Sequence, residues 1–240
     1  MQRPLSCTVL FLSGNHNTPL MTNKLLAQLR AVMPAGIEVP EPIVLLYDWI
    51  EQQGYYTDNA EGQRIGFLYP EQRLHNVWTE YGRPGGTAIE FVAYGGQDLH
   101  PWFGGNEPLL RRPCVFAQTG ADGSVAAFWL NKDDQLKIAH MGSGSGSILT
   151  CVLADNAVDF LRLLAIGYDE ICWNEEFLVP PNTRNPDFTV EPNERFQQWV
   201  RDTLQVTIPA TASEIVRHPA EMGDEDSGDE FCDWCNHVDS

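Results

Sequence analysis

Residues 120–167 run GADGSVAAFWLNKDDQLKIAHMGSGSGSILTCVLADNAVDFLRLLAIG, and the order of their pieces decides the fold. Just upstream, VFAQ at 115–118 leads into Thr119, Gly120, Ala121, Asp122 and Gly123. There glycine tolerates positive φ and Asp can bond its own backbone, so the chain reverses. The return strand, VAAFWL at 125–130, ends at Asn131, Lys132, Asp133 and Asp134, a second polar turn ahead of an apolar segment at 136–140. These three strands form a meander, and the short apolar run 148–153 adds a fourth. Asp155 then offers a side-chain oxygen to cap a helix. Val158, Leu161, Leu164 and Ala165 share one stripe of that helix, Phe160 and Leu163 widen it, Asp159 and Arg162 face water, and Gly167 closes it. The expected architecture is α+β: a largely antiparallel twisted sheet with helices packed on it.

Working outward, MTNKLLAQLRAV at 21–32 places Leu25, Leu26, Leu29 and Val32 at helical spacing before Pro34 and Gly36. The segment 43–53 repeats the pattern with Leu46, Tyr47 and Ile50 and stops before Gly54. A polar turn at 58–62 enters the strand RIGFLY; 71–81 forms a short helix or turn; TAIEFVAY at 87–94 is β-branched and aromatic and predicts a strand with Val92 and Tyr94 on one face. Residues 95–112 are a Gly/Pro-rich excursion that carries His100, Trp102 and Phe103. Long loops in compact domains are often functional, though Trp and Phe there can equally pin the loop over a satellite core. NERFQQWVRDTL at 193–204 is an amphipathic helix through Phe196, Trp199, Val200 and Leu204.

The sequence TGADGSVAAFWL, followed by HMGSGSGSILTCVLADNAVDFLRLLAIGYDEI, resembles the core of the SUKH superfamily, the Smi/Knr-type domains found widely as bacterial immunity proteins. In that family a D-G turn precedes the central strands, and a strand leads through an acidic cap into an FL-x-LLA-x-G helix. The resemblance covers 113–173 well; IGFLYPEQRL and WFGGNEPLLRRP look like accessory strands of larger members, while the last third matches weakly. It implies one SUKH-like α+β domain over 1–205, with an N-terminal helical segment and a C-terminal helix.

The chain has 240 residues, 43% of them hydrophobic and 10% aromatic, enough to bury a real core. Its formal charge is −18. Eight acids and no Lys or Arg fall in 219–240 (Glu221, Asp224, Glu225, Asp226, Asp229, Glu230, Asp233, Asp239), and removing these eight leaves −10 on the rest. From 206 onward the chain therefore reads as an acidic, mobile tail. Such a surface repels phosphate backbones and anionic lipid, which disfavours direct nucleic-acid or membrane binding and favours a basic protein partner. Acidity for solubility alone is the competing explanation. Six scattered cysteines are too few for a disulfide scaffold and fit reduced thiols. CTVLFL is too short for a membrane span and lacks a cleavage pattern, so a cytoplasmic protein is expected.

Candidate chemistry is thin. GSGSGS at 142–147 offers successive glycine amides to an anion but lacks the Lys-Ser/Thr ending of a P-loop and precedes a strand, so it reads as a flexible connection. Cys232, Cys235 and His237 have ligand types and spacing that suit Zn²⁺, yet no fourth ligand is evident, and neither a metal nor a cofactor is expected. Asp98 and His100 could share a proton, but a solvated loop pair explains them as well. No G-x-S-x-G or other nucleophile constellation occurs.

The resemblance implies an immunity protein that neutralises a polymorphic bacterial toxin, nuclease-like in the leading version, by covering its active-site cleft rather than by catalysis. An acidic domain can occupy a basic cleft and associate quickly through electrostatic steering. The expected partner-binding residues are the loop acids Asp122, Asp133, Asp134, Glu175 and Glu176 around an aromatic anchor, Trp102. The alternative is a regulatory or scaffold module of the Smi/Knr type, with an enzyme third.

Overall fold

Asn23 caps the first helix by accepting the Leu26 N–H at 2.9 Å, which starts α1 (Lys24–Val32). These coordinates are a computed structural model that describes residues 23–70, 86–94, 99–103, 112–184 and 189–237. The segment 71–81 and Asp98 lie outside them. Helix α2 (Glu41–Gln53) has proline in its first turn and ends at Gly54 in the left-handed conformation, φ +69°. The periodic positions Leu25, Leu26, Leu29, Leu46, Tyr47 and Ile50 are all buried.

A small hairpin follows, β1 (Tyr56–Asp58) and β2 (Arg64–Gly66). The Arg64 guanidinium clamps it, pairing with Asp58 at 2.9 Å and Glu51 at 2.6 Å and lying 3.7 Å over the Tyr56 ring. Within the expected strand 87–94, only β3 (Glu90–Phe91) pairs regularly. The described residues of the Gly/Pro-rich excursion include a helical turn, α3 (His100–Phe103). Then come β4 (Cys114–Gln118), β5 (Val125–Leu130), β6 (Leu136–Met141) and β7 (Thr150–Ala154). The turns between β4 and β6 form as their residues dictate. Gly123 takes φ +93° in the first; in the second, the Asn131 side chain accepts the Asp133 and Gln135 amides while Asp134 sits at φ +55°.

Among the described residues seven strands pair in sequence order, all antiparallel, as a meander. Side-chain alternation splits β5 between two faces. Ala126 and Phe128 join the larger core with Phe116, beneath α2 and α4 (Ala157–Ile166), where the Phe116 and Phe128 rings stack at 4.2 Å and Phe160 meets Phe116 edge-on. Val125, Ala127 and Trp129 face a second cluster on the other side. Helix α4 buries Phe160, Leu161, Leu163 and Leu164 and ends at Gly167, φ +97°. Its cap is Asn156, which accepts the Asp159 N–H at 2.9 Å, and not Asp155, which instead pairs with Lys137. Helix α5 (Glu194–Leu204) packs on α4 with Phe196 and Val200 buried.

The C-terminal segment corrects the expectation of a mobile tail. The Thr150 N–H donates to the Ala220 carbonyl, Met222 N–H donates to Ile148, and Leu149 bridges Glu221. Helix α6 (Glu230–His237) lies against β7 and covers the second face of the sheet. Acidity did not keep this stretch in solvent, because three of its residues are apolar or aromatic at helical spacing: Phe231 is fully buried, and Trp234 and Cys235 pack beside it. Asp229 starts α6. Its carboxylate is buried and accepts the amides of Phe231 and Cys232 with one oxygen and that of Val152 in β7 with the other. Among the described residues no helix is long and apolar enough to cross a membrane.

Candidate functional site

One end of the sheet gathers the loops that carry most of the expected acids. Asp122 lies at its centre. Its Oδ1 accepts the Ser124 amide at 3.0 Å, and its Oδ2 accepts the Ser124 hydroxyl at 2.9 Å, the Ser143 hydroxyl at 2.8 Å and the Ser147 amide at 2.6 Å. Partial burial pushes this carboxyl up, but the bonds from Ser124, Ser147 and Ser143 outweigh it and hold the group below its ordinary value. GSGSGS is therefore not a loose connection. Its Ser147 amide and Ser143 hydroxyl already hold an anion, the protein's own carboxylate. Close approach explains the small residues: a Cβ at Gly146 would fall 2.6 Å from the Asp122 Cβ, and one at Gly142 would fall 2.6 Å from the Ser147 carbonyl oxygen. Asp122 is thus a structural bolt, which removes it from the set of free partner-binding acids.

Around this bolt the end is built from three segments. The Glu170 carboxylate accepts the Ala121 amide at 2.7 Å and the Trp173 indole N–H at 2.9 Å. The Ser147 hydroxyl donates to the Cys172 carbonyl at 2.6 Å, and Asn174 donates to Glu221 at 2.9 Å. Trp173, Ile148 and Met222 therefore belong to one surface. Together with Leu178 they are the four exposed large apolar side chains among the described residues, at 38%, 42%, 39% and 76% exposure. Carboxylates border them. Glu176, in the short 3-10 turn Asn174–Glu176, is pushed up first by burial and then by Asp169, with Glu175 and Glu170 adding to it and Arg184 opposing. Four acids thus lie close enough to feel one another.

The other expected residues divide. Glu175 and Glu176 belong to this end. Asp133 and Asp134 are at the far end of β5, in the turn that follows Leu130, a strand of six residues away from Asp122 and so roughly 20 Å distant. The acids do not ring a single anchor. Trp102 is half-buried and packs in the second cluster, and its indole N–H donates to the Gly142 carbonyl at 2.7 Å. It pins its loop and is no exposed anchor. Among the described residues the exposed aromatic side chain is Trp173, a residue with no distinguishing periodicity in ICWNEE; its one sequence signal is an aromatic between charged residues just past a helix-ending glycine.

Among the described residues, His140, Cys232 and His237 stand apart from one another and are engaged by other partners. The buried His140 donates from Nδ1 to the Leu149 carbonyl at 2.8 Å, so its Nε2 accepts from the buried Thr119 hydroxyl at 2.9 Å. Both nitrogens are spent, although Asp122 and serines lie close by. The Cys232 thiol points inward toward the Glu221 carbonyl, and burial raises its pKa; His237 bonds the Asp233 carbonyl through Nδ1. Among the described residues no three His, Cys, Asp or Glu side chains converge to hold a metal ion. His100 begins α3. Neither protein-family models, nor curated proteins, nor solved structures give a match to this chain. At the level that fold and geometry reach, this is an α+β protein with a meander sheet covered on both faces, and an acidic, apolar-tipped end.

Proposed function

We propose that the chain is a protein-binding module of SUKH-like type that neutralises a basic partner, a nuclease-like bacterial toxin, by seating its acidic end in the partner's substrate cleft. The observation that carries this is the gathering of Trp173, Ile148 and Met222 beside Glu170, Glu175 and Glu176 on one surface. Exposed aromatic and aliphatic groups with a charged rim match the anatomy of protein interfaces, where a few central anchors supply most of the affinity. The formal charge of −18 favours fast encounter with a basic surface and repels nucleic acid that would compete for it. The rigid Asp122 bolt supports such a role, because loops already fixed lose little freedom on binding.

Co-expression with the product of the adjacent gene tests this. A stoichiometric complex is expected, and Trp173→Ala should weaken it at least ~10-fold, about 1.4 kcal/mol or more, while leaving the fold intact. A complex indifferent to Trp173→Ala would remove this surface from the interface.

A further inference from the structure

Trp173 is held by its own donor. The indole N–H donates to Glu170 Oε2 at 2.9 Å, while Glu170 Oε1 accepts the Ala121 amide at 2.7 Å. An indole has a single N–H, so what Trp173 offers a partner, at 38% exposure, is ring surface without a hydrogen-bonding group. An acceptor on the partner finds nothing to bond there. A cation does, because an aromatic face carries partial negative charge and a carboxylate drawing on the N–H adds electron density to it.

Trp173 and Glu176 line one cavity of about 130 Å³, together with Asp169, Val179 and Arg184. Glu176 is partly buried, and among the described residues its carboxylate accepts no hydrogen bond and joins no ion pair. Burial and then Asp169 oppose its charge, which a cation set beside it compensates. Arg184 is the protein's own cation on this wall. It is exposed and, among the described residues, closes no ion pair, so an incoming cation competes with a charge that is near but not bonded. A planar, weakly hydrated guanidinium can stack on a ring and still direct its N–H fork at a carboxylate, whereas an ammonium is compact and strongly hydrated. Arginine is also enriched at protein interfaces, where lysine is depleted.

We propose that Trp173 and Glu176 form a seat for an arginine side chain of the basic partner: the guanidinium stacks on the indole face and donates to the Glu176 carboxylate, and Glu170 is the positioning residue that fixes the ring. The inference rests on the reading of this end as the docking surface and names the group that the surface receives.

The probes are end-blocked tri-arginine, tri-lysine and tri-citrulline peptides, the last keeping the shape of arginine without its charge. The readout is the Trp173 indole cross-peak in a ¹H–¹⁵N spectrum of the full chain, assigned by Trp173→Phe. Tri-arginine is expected to shift that peak saturably, about 3-fold or more tighter than tri-lysine, with tri-citrulline weaker than both. Trp173→Leu, followed through the amides of 174–176, should erase the preference for arginine over lysine. Glu170→Gln loses the charge and one of the two acceptors; it should move the free indole peak upfield and lower the arginine preference while the cross-peaks of the sheet stay in place. Arg184→Gln should tighten tri-arginine by removing the competing cation. An indole peak unmoved by tri-arginine, equal affinity for arginine and lysine, or a preference that survives Trp173→Leu would overturn the seat. The co-expressed complex separates the two readings: a complex that Trp173→Ala weakens, with no arginine preference in the peptides, overturns the seat alone, whereas a complex indifferent to Trp173→Ala removes the docking surface and the seat with it.

Discussion

Asp122 and His140 illustrate how single polar residues set the shape of the acidic end. Asp122 gathers four donors from two loops, so replacing it by alanine strands two hydroxyls and two amides at once. Asp122→Ala is expected to destabilise the fold by about 2 kcal/mol in urea titrations and to speed amide exchange across 143–147. Unchanged exchange there would show that the loop holds its shape without the bolt. His140 works in the opposite electrostatic sense. Burial pushes its pKa down to about 4, against the Leu149 carbonyl bond and the Asp122 charge, which pull it upward. In the unfolded chain the same imidazole titrates near 6.5. Between these values the unfolded state takes up a proton that the folded state refuses. His140 therefore leaves stability intact above pH ~6.5, and up to about 3 kcal/mol drains away as pH falls toward 4. Urea midpoints measured across that window should slope downward with acidification in the native chain and much less in His140→Gln; equal slopes would contradict the assignment.

At the scale of elements, α6 is the piece whose role departs most from its composition. Phe231 is fully buried against Trp129, ring centroids 5.2 Å apart, and Asp229 ties the helix start to β7 through Val152. Phe231→Ala should cost about 3 kcal/mol, whereas a dispensable tail would register nothing by thermal or urea unfolding. The central meander and α4 were legible because local signals agreed: D-G and Asn turns, short apolar runs between them, and a stripe closed by Gly167. Helices α1, α2 and α5 were legible for the same reason, through apolar spacing, with Pro34, Gly36 and Gly54 marking the ends of the first two. What escaped depended on distance in the chain. β1 has only three residues and draws its order from Arg64 and Glu51. Asp155 and Asn156 both suit a cap, and the choice fell to Asn156 once Lys137 engaged Asp155. Eight acids masked Phe231 and Trp234, whose partners lie a hundred residues away on β5. Within the candidate site, Glu175 and Glu176 were identifiable as turn acids, whereas Trp173 acquires its position only when Glu170, Ser147 and Glu221 tie three remote segments together.

For the whole molecule, the uneven placement of apolar exposure matters more than the total charge. A net −18 would serve solubility as well as binding. Among the described residues, the exposed apolar groups Trp173, Ile148 and Met222 lie at the end that also holds Glu170, Glu175 and Glu176; they are not needed for solubility and, on the proposed function, give that end a direction for docking. Among the described residues the far end, with Asp133 and Asp134 in a tight turn, carries charge without such groups. The two ends provide a direct comparison within one protein. Hydrogen–deuterium exchange of the chain, alone and with its co-purified partner, tests which one engages. Docking through the acidic end predicts new protection concentrated in 143–149, 170–179 and 221–224, with 131–135 unchanged. Protection at 131–135 with those three segments left exchanging as in the free chain would contradict it.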